Sequence, residues 1–166
     1  MIRPGHRDDA AEITELYRAL DKECPMPDAL LAANAEELVG FTLDAFEHYE
    51  KGTYFVAAVK TNPPDPDGET LVGMLNVVLS TGQRYFPQPE YAHVADLYVH
   101  SDYRRKGIGT ALIRGAKAWA ELQSVGKLSL DVDAKNKAAN KLFAKLNFEE
   151  SFTSINLVKG IHSEEE

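Results

Sequence analysis

Residues 92–122 carry the feature that most restricts this chain. An apolar run, Ala92-His93-Val94-Ala95-Asp96-Leu97-Tyr98-Val99, leads to Arg104-Arg105-Lys106-Gly107-Ile108-Gly109-Thr110 and then into a stretch with helical periodicity. Strand, glycine-rich turn and helix in that order is a recurrent way to hold a phosphate. The turn's N–H groups converge, the helix N-terminus adds partial positive charge, and glycine lets a ligand come close. Gly107 and Gly109 supply that closeness, while Arg104, Arg105 and Lys106 add full charges. The chain has 18 basic and 26 acidic side chains, a net charge of −8, so a basic cluster here points to one anionic ligand. The plainer alternative is a solvated surface cluster.

The rest of the chain predicts one α/β domain spanning residues 1–166, with a mixed, mostly antiparallel sheet and about four helices. Ile2-Arg3 opens as a short strand. A helix starts near Asp9, with Glu12 as its capping-box partner and Ile13, Leu16, Tyr17 and Leu20 as its apolar stripe. Asn34 and Glu37 repeat the capping pattern ahead of a second helix. Tyr54–Val59 and Leu71–Leu79 read as strands joined by a long loop rich in Pro63, Pro64, Pro66 and Asp67-Gly68. After the glycine turn, Ile108, Leu112, Ala116, Trp119 and Leu122 give a third helix its buried face. Leu128, Leu130 and Val132 alternate as a strand. Asn136 caps a last helix with Ala139, Leu142, Phe143 and Leu146 inward, and Asn147 stops it in the left-handed conformation. Phe148–Val158 closes the chain as one or two strands.

Composition narrows the function. An acidic chain disfavours broad binding to nucleic acid or to an anionic membrane. No apolar run reaches the roughly 20 residues that span a bilayer. The opening residues lack a signal peptide's apolar core, which makes a cytoplasmic location the expectation. The single cysteine, Cys24, has no internal disulfide partner and reads as an ordinary thiol. No metal site is expected. A Walker A loop is absent, and a dinucleotide fingerprint would need glycine where Leu112 stands.

What remains is Arg-x-x-Gly-x-Gly. Together with Asp96-Leu97-Tyr98-Val99, Tyr103–Thr110, Asn136-Lys137-Ala138-Ala139 and Leu146-Asn147-Phe148, it resembles the GCN5-related N-acetyltransferase (GNAT) superfamily. The order of the other elements is similar too, so the likeness covers nearly the whole chain. Asp96–Val99 followed by His100–Arg104 resembles the polyamine and diamine acetyltransferase branch. The resemblance implies a GNAT-like fold with splayed central strands, acetyl-CoA as cosubstrate, and direct acetyl transfer to a small amine; family members are often homodimers. It implies that Arg104, Arg105, Lys106, Gly107, Ile108, Gly109 and Thr110 hold the coenzyme A pyrophosphate. Leu97, Tyr98 and Val99, chiefly through the main chain of Leu97 and Val99, and Asn136 would hold the pantetheine arm.

Two positions depart from the family's pattern. Its usual general acid is a tyrosine seven residues after the asparagine, where this chain has Phe143, a position that the resemblance implies lies beside the cofactor. Many members carry a glutamate where Ala95 stands, which leaves Asp96 as the candidate base, with a structural carboxylate as the alternative. His93 reads as an ordinary strand histidine. Asp21, Glu23 and Asp28 are candidates to attract a cationic acceptor, or are ordinary acidic surface. Acetylation of a peptide or protein amine, and a coenzyme A-binding regulatory module, are the competing functions.

Overall fold

The computed structural model describes residues 1–24, 44, 51–60, 68–80 and 90–150. The expected second helix, the loop around Pro63–Asp67, residue Asp28 and the closing strands beyond residue 150 lie outside the described residues. The chain divides into two compact units, Met1–Asp133 and Ala134–Glu166.

The first unit is built on a five-stranded sheet: β1 (Ile2–Pro4), β2 (Gly52–Lys60), β3 (Glu69–Ser80), β4 (Tyr91–Val99) and β5 (Leu128–Leu130), paired in that order. The first four pair antiparallel and β4 pairs β5 in parallel. A parallel neighbour needs a crossover, which helix α2 (Ile108–Leu122) supplies. Helix α1 (Ala10–Glu23) buries Ile13 and Leu16 against Tyr54, Val56, Ala58, Leu71, Met74 and Tyr98. Side chains alternate along a strand, so Phe55 faces the other way. Its ring lies so close to Gly115 of α2 that a Cβ there would sit 2.8 Å from it. Leu112, Ile113, Ala116 and Trp119 complete that buried face of α2, whereas Leu122 is 78% exposed because the helix ends as it clears the sheet.

α1 starts by a different device from the expected capping box. Residues Arg7–Asp9 form a 3-10 turn. Asp9 reaches back to the His6 N–H at 2.6 Å and takes a two-pronged bond from Arg3 at 2.7 and 2.8 Å. Burial works to raise the Asp9 carboxyl; Arg3 and the His6 N–H overcome that and hold it below the usual carboxylate range. Glu12 leaves the cap altogether: its Oε2 accepts the Leu71 N–H at 2.8 Å, fixing where the helix rests along β3.

A β-bulge decides which residues reach which face. Asn76 pairs with Asp96 and Val77 with Val94, so Ala95 is an extra, exposed residue in β4. Ala92 and Val94 are buried on the α2 side; past the bulge, Tyr98 belongs to the cluster under α1 and Asp96 shares that face.

The second unit contains helix α3 (Lys137–Lys145). Asn136 caps it, its side-chain oxygen accepting the Ala139 N–H at 3.1 Å, and Asn147 ends it at φ 62°. Phe143 is buried and packs edge-on to Phe148, with centroids 5.7 Å apart. Residues Phe148–Glu150 are not strand, so the closing strand does not begin at Phe148.

Candidate active site

The site is assembled around β4. Its pairing with β5 covers only Ala92–Val94 against Leu128–Leu130, so Asp96–Val99 runs on beyond the end of that ladder. This is the expected splay. The hydrogen-bond phase on the other edge follows from one contact, His100 N–H to the Val72 carbonyl at 2.8 Å. In an antiparallel ladder bonded and non-bonded pairs alternate. Tyr98 and Asp96 therefore bond to β3, while Leu97 and Val99 turn their N–H and C=O groups toward the splay. The Val99 carbonyl accepts Arg104 Nε at 2.7 Å, as that phase requires.

Beyond β4, a 3-10 turn at Ser101–Tyr103 feeds the basic loop. Arg105 and Gly107 are both left-handed, at φ 65° and 82°. That conformation costs a non-glycine residue roughly 1–2 kcal/mol, and left-handed residues in a turn are the means by which successive N–H groups are brought to converge on an anion. Among the described residues, the first helical N–H with an acceptor is that of Ala111, bonded to the Gly107 carbonyl. The N–H groups before it point outward from the start of α2, where an anion is favoured. A Cβ built on Gly107 meets nothing within 4 Å, so the space over the loop is open. A shallow depression of about 230 Å³ beside Ala57, Ala58, Val59, Val72, Lys106 and Gly107 is smaller than an ordinary ligand pocket of roughly 300–1,000 Å³.

The cationic side chains are arranged differently from the expectation. Arg104 pairs with Glu23 and lies 5.6 Å from the Tyr98 ring centroid, and its own N–H goes to the Ser101 carbonyl at 3.2 Å. Lys106 bonds the Asp102 carbonyl at 3.0 Å. Glu23, held below the usual carboxylate range by the Tyr98 hydroxyl and by Arg104, is thus partnered and is no open attractor for a cation. Asp21 is half-buried, and its Oδ1 is buried without a hydrogen-bond partner among the described residues.

Asp96 is half-buried under α1. Its Oδ2 accepts the Tyr17 hydroxyl at 2.8 Å, and Tyr17 and Tyr54 join hydroxyls at 3.1 Å. Burial raises the Asp96 carboxyl above the ordinary range, opposed by hydrogen bonds from Tyr17 and Asn76 and by the nearby His93. His93 meets Ser129 Oγ at 3.0 Å through Nδ1.

The family model for acetyltransferases (GNAT) matches residues 13–148, more than half of this chain. The chain belongs to the GNAT family. This GNAT chain is similar to an N-alpha-acetyltransferase of Sulfurisphaera tokodaii, 33% identical over 115 residues, 66% of this chain and 64% of that protein. It is also similar to the thialysine N-epsilon-acetyltransferase of Bos taurus, 28% identical over 151 residues, 88% of this chain and 82% of the relative. A solved aminoglycoside N-acetyltransferase in complex with CoA matches at TM-score 0.76 and 15% identity, over 96% of this chain and 93% of the other. At that identity the likeness is one of fold.

Within this GNAT chain the structure brings Asp96, Leu97, Tyr98 and Val99 together with residues 104–110 in the first unit, and Asn136 and Phe143 belong to the second. Sequence reasoning missed Tyr17 and Asn76 as partners of Asp96, and Tyr54 as the partner of Tyr17. Asn76 gave the one available signal: an amide inside the apolar run Met74–Val78 needs a hydrogen-bond partner if buried, and it is 3% exposed. Among the described residues there is no group of three or more His, Cys, Asp or Glu placed to hold a metal, and no helix long and apolar enough to cross a membrane.

Proposed function

We propose that this protein transfers an acetyl group from acetyl-CoA directly to a primary amine, and that the amine is small and cationic. The observation that carries this reading is what β4 places side by side: a half-buried carboxylate at Asp96 and main-chain groups of Leu97 and Val99 turned away from β3, leading into the glycine-containing loop at the start of α2. In this reading the N–H groups of residues 105–110 meet the pyrophosphate, with Arg105 adding charge. Leu97 and Val99 bond the pantetheine arm, with Tyr98 between them. In the second unit, Asn136 caps α3 through its oxygen, a bond that does not use its amide N–H groups.

Asp96 takes the proton of the acceptor ammonium. The freed nitrogen attacks the thioester carbonyl carbon, the carbon–sulfur bond breaks, the thiolate leaves with its electron pair, and the attacking nitrogen gives its second proton to solvent as the amide forms. Phe143 has no proton to give, so water or another group protonates the thiolate. Phe143→Tyr should therefore change the single-turnover rate by less than about threefold; a positioned acid that limited the rate would add roughly 10²–10⁴-fold. A hundredfold gain would show that leaving-group protonation limits this protein.

The test is thiol release from acetyl-CoA over spermidine, thialysine, neamine, amino acids and short peptides. Turnover concentrated on the small cationic amines supports the proposal. Preference for peptide N-termini would sink the acceptor class, and the similarity to an N-alpha-acetyltransferase makes that the second reading. Coenzyme A binding with no turnover on any amine would overturn the enzymatic reading.

A further inference from the structure

The Tyr54–Tyr17–Asp96 chain goes beyond what packing needs. Both rings would fill the same space as phenylalanine, and their T-shaped contact, 6.4 Å between centroids at 89°, does not depend on hydroxyls. Burying a hydroxyl is unfavourable unless it is bonded; Tyr54 is buried and Tyr17 partly so, and the bond between their hydroxyls leads through Tyr17 to one carboxylate. Burial keeps the Tyr17 phenol protonated, so its O–H is the donor to Asp96 and its oxygen accepts from Tyr54. The helix that carries Tyr17 cannot slide: Ile13 and Leu16 are buried beneath it and Glu12 is bonded to the Leu71 N–H.

We propose that Tyr17 is the positioning residue for Asp96, its hydroxyl fixing the carboxylate's orientation and its ionised, proton-accepting form. The inference rests on Asp96 being the base. Two influences meet at that carboxyl. Desolvation makes it more basic than a free aspartate and disfavours its charged form. Donors from Tyr17 on α1 and Asn76 on β3 set the limit. The other titratable groups linked to it, among the described residues, are Tyr54 on β2, through Tyr17, and His93 on β4. His93 favours the charged form and is itself bonded to Ser129 on β5, with Asp131 4.0 Å away.

The experiment uses the full chain with ¹³C-labelled aspartate. It follows the Asp96 carboxyl titration by NMR beside the pH profile of thiol release on the panel of spermidine, thialysine, neamine and short peptides. Tyr17→Phe removes a donor to the charged form, so the carboxyl pKa and the acidic limb of kcat/KM should both rise by about one unit. Below the limb that is a loss of about tenfold, with little change above it. A merely structural tyrosine would alter melting and leave the limb in place. Should Tyr17→Phe fail to fold, 3-fluorotyrosine at position 17, a stronger donor of nearly the same shape, should move both readouts downward. If neither readout moves while Asp96→Asn is inactive, the base assignment stands and Tyr17 does not position it. If the carboxyl pKa moves and the limb does not, Asp96 is not the base, and the inference goes with that reading.

Discussion

Asp96→Asn should lower the single-turnover rate by at least about 10²-fold, within the range of roughly 10²–10⁴ that a positioned base supplies. The Michaelis constant for acetyl-CoA should hardly change, because Asp96 lies outside the phosphate loop. Asparagine keeps an oxygen for the Tyr17 hydroxyl, now 2.8 Å from Oδ2, so the variant should fold and its loss can be read as chemistry. The pH dependence follows with a definite sign. A base must be ionised, and burial raises this carboxyl. Activity of the native protein should therefore fall as pH drops through a value above the usual aspartate range of about 4. In Asp96→Asn that limb should vanish. Retention of activity within threefold would make Asp96 a structural tie between α1 and β4.

Gly107→Val should weaken coenzyme A binding by at least about tenfold, or 1.4 kcal/mol. Two effects add. Glycine holds φ 82° freely, whereas a β-branched residue there is strained and would shift the loop's N–H groups. The new methyls would also occupy the open space over the loop, where a Cβ meets no protein atom within 4 Å. That second fact is why the fold should survive. Gly126→Ala is a matched control, since its Cβ also meets nothing within 4 Å and its φ is not left-handed. Calorimetry with coenzyme A on both variants decides the matter, and unchanged affinity in Gly107→Val would remove the loop from the site.

The elements legible in the sequence were those whose signals are local. Five strands, the phosphate-type loop and the Asn136 cap all follow from alternation, glycine placement and capping chemistry within a few residues. Family resemblance added the splay, which the ladder between β4 and β5 bears out. Three things depended on residues far apart in the chain. Glu12 matches a capping box by spacing, yet its partner is the Leu71 N–H, 59 positions away. Glu23 and Arg104 are 81 positions apart, so nothing near either one reveals that they neutralise each other. Tyr17 sits on an apolar stripe and reads as packing; its hydroxyl bond to Asp96 spans 79 positions.

The extra residue at Ala95 means that β4 cannot be read with one parity. Counting from its start, even-numbered side chains at Ala92 and Val94 go to α2; counting from its end, even-numbered ones at Asp96 and Tyr98 go to α1. Removing this one methyl-bearing residue would shorten the strand by a single step and restore a uniform alternation. Asp96 and Tyr98 would keep to the α1 face and Ala92 and Val94 to the other, because Val94 and Asp96 already stand opposite the consecutive Val77 and Asn76; a flat strand that kept Ala95 would instead turn one of the two pairs onto the wrong face. Transplanting side chains onto this strand by position number, or aligning it to an unbulged one, would thus misplace everything on one side of Ala95.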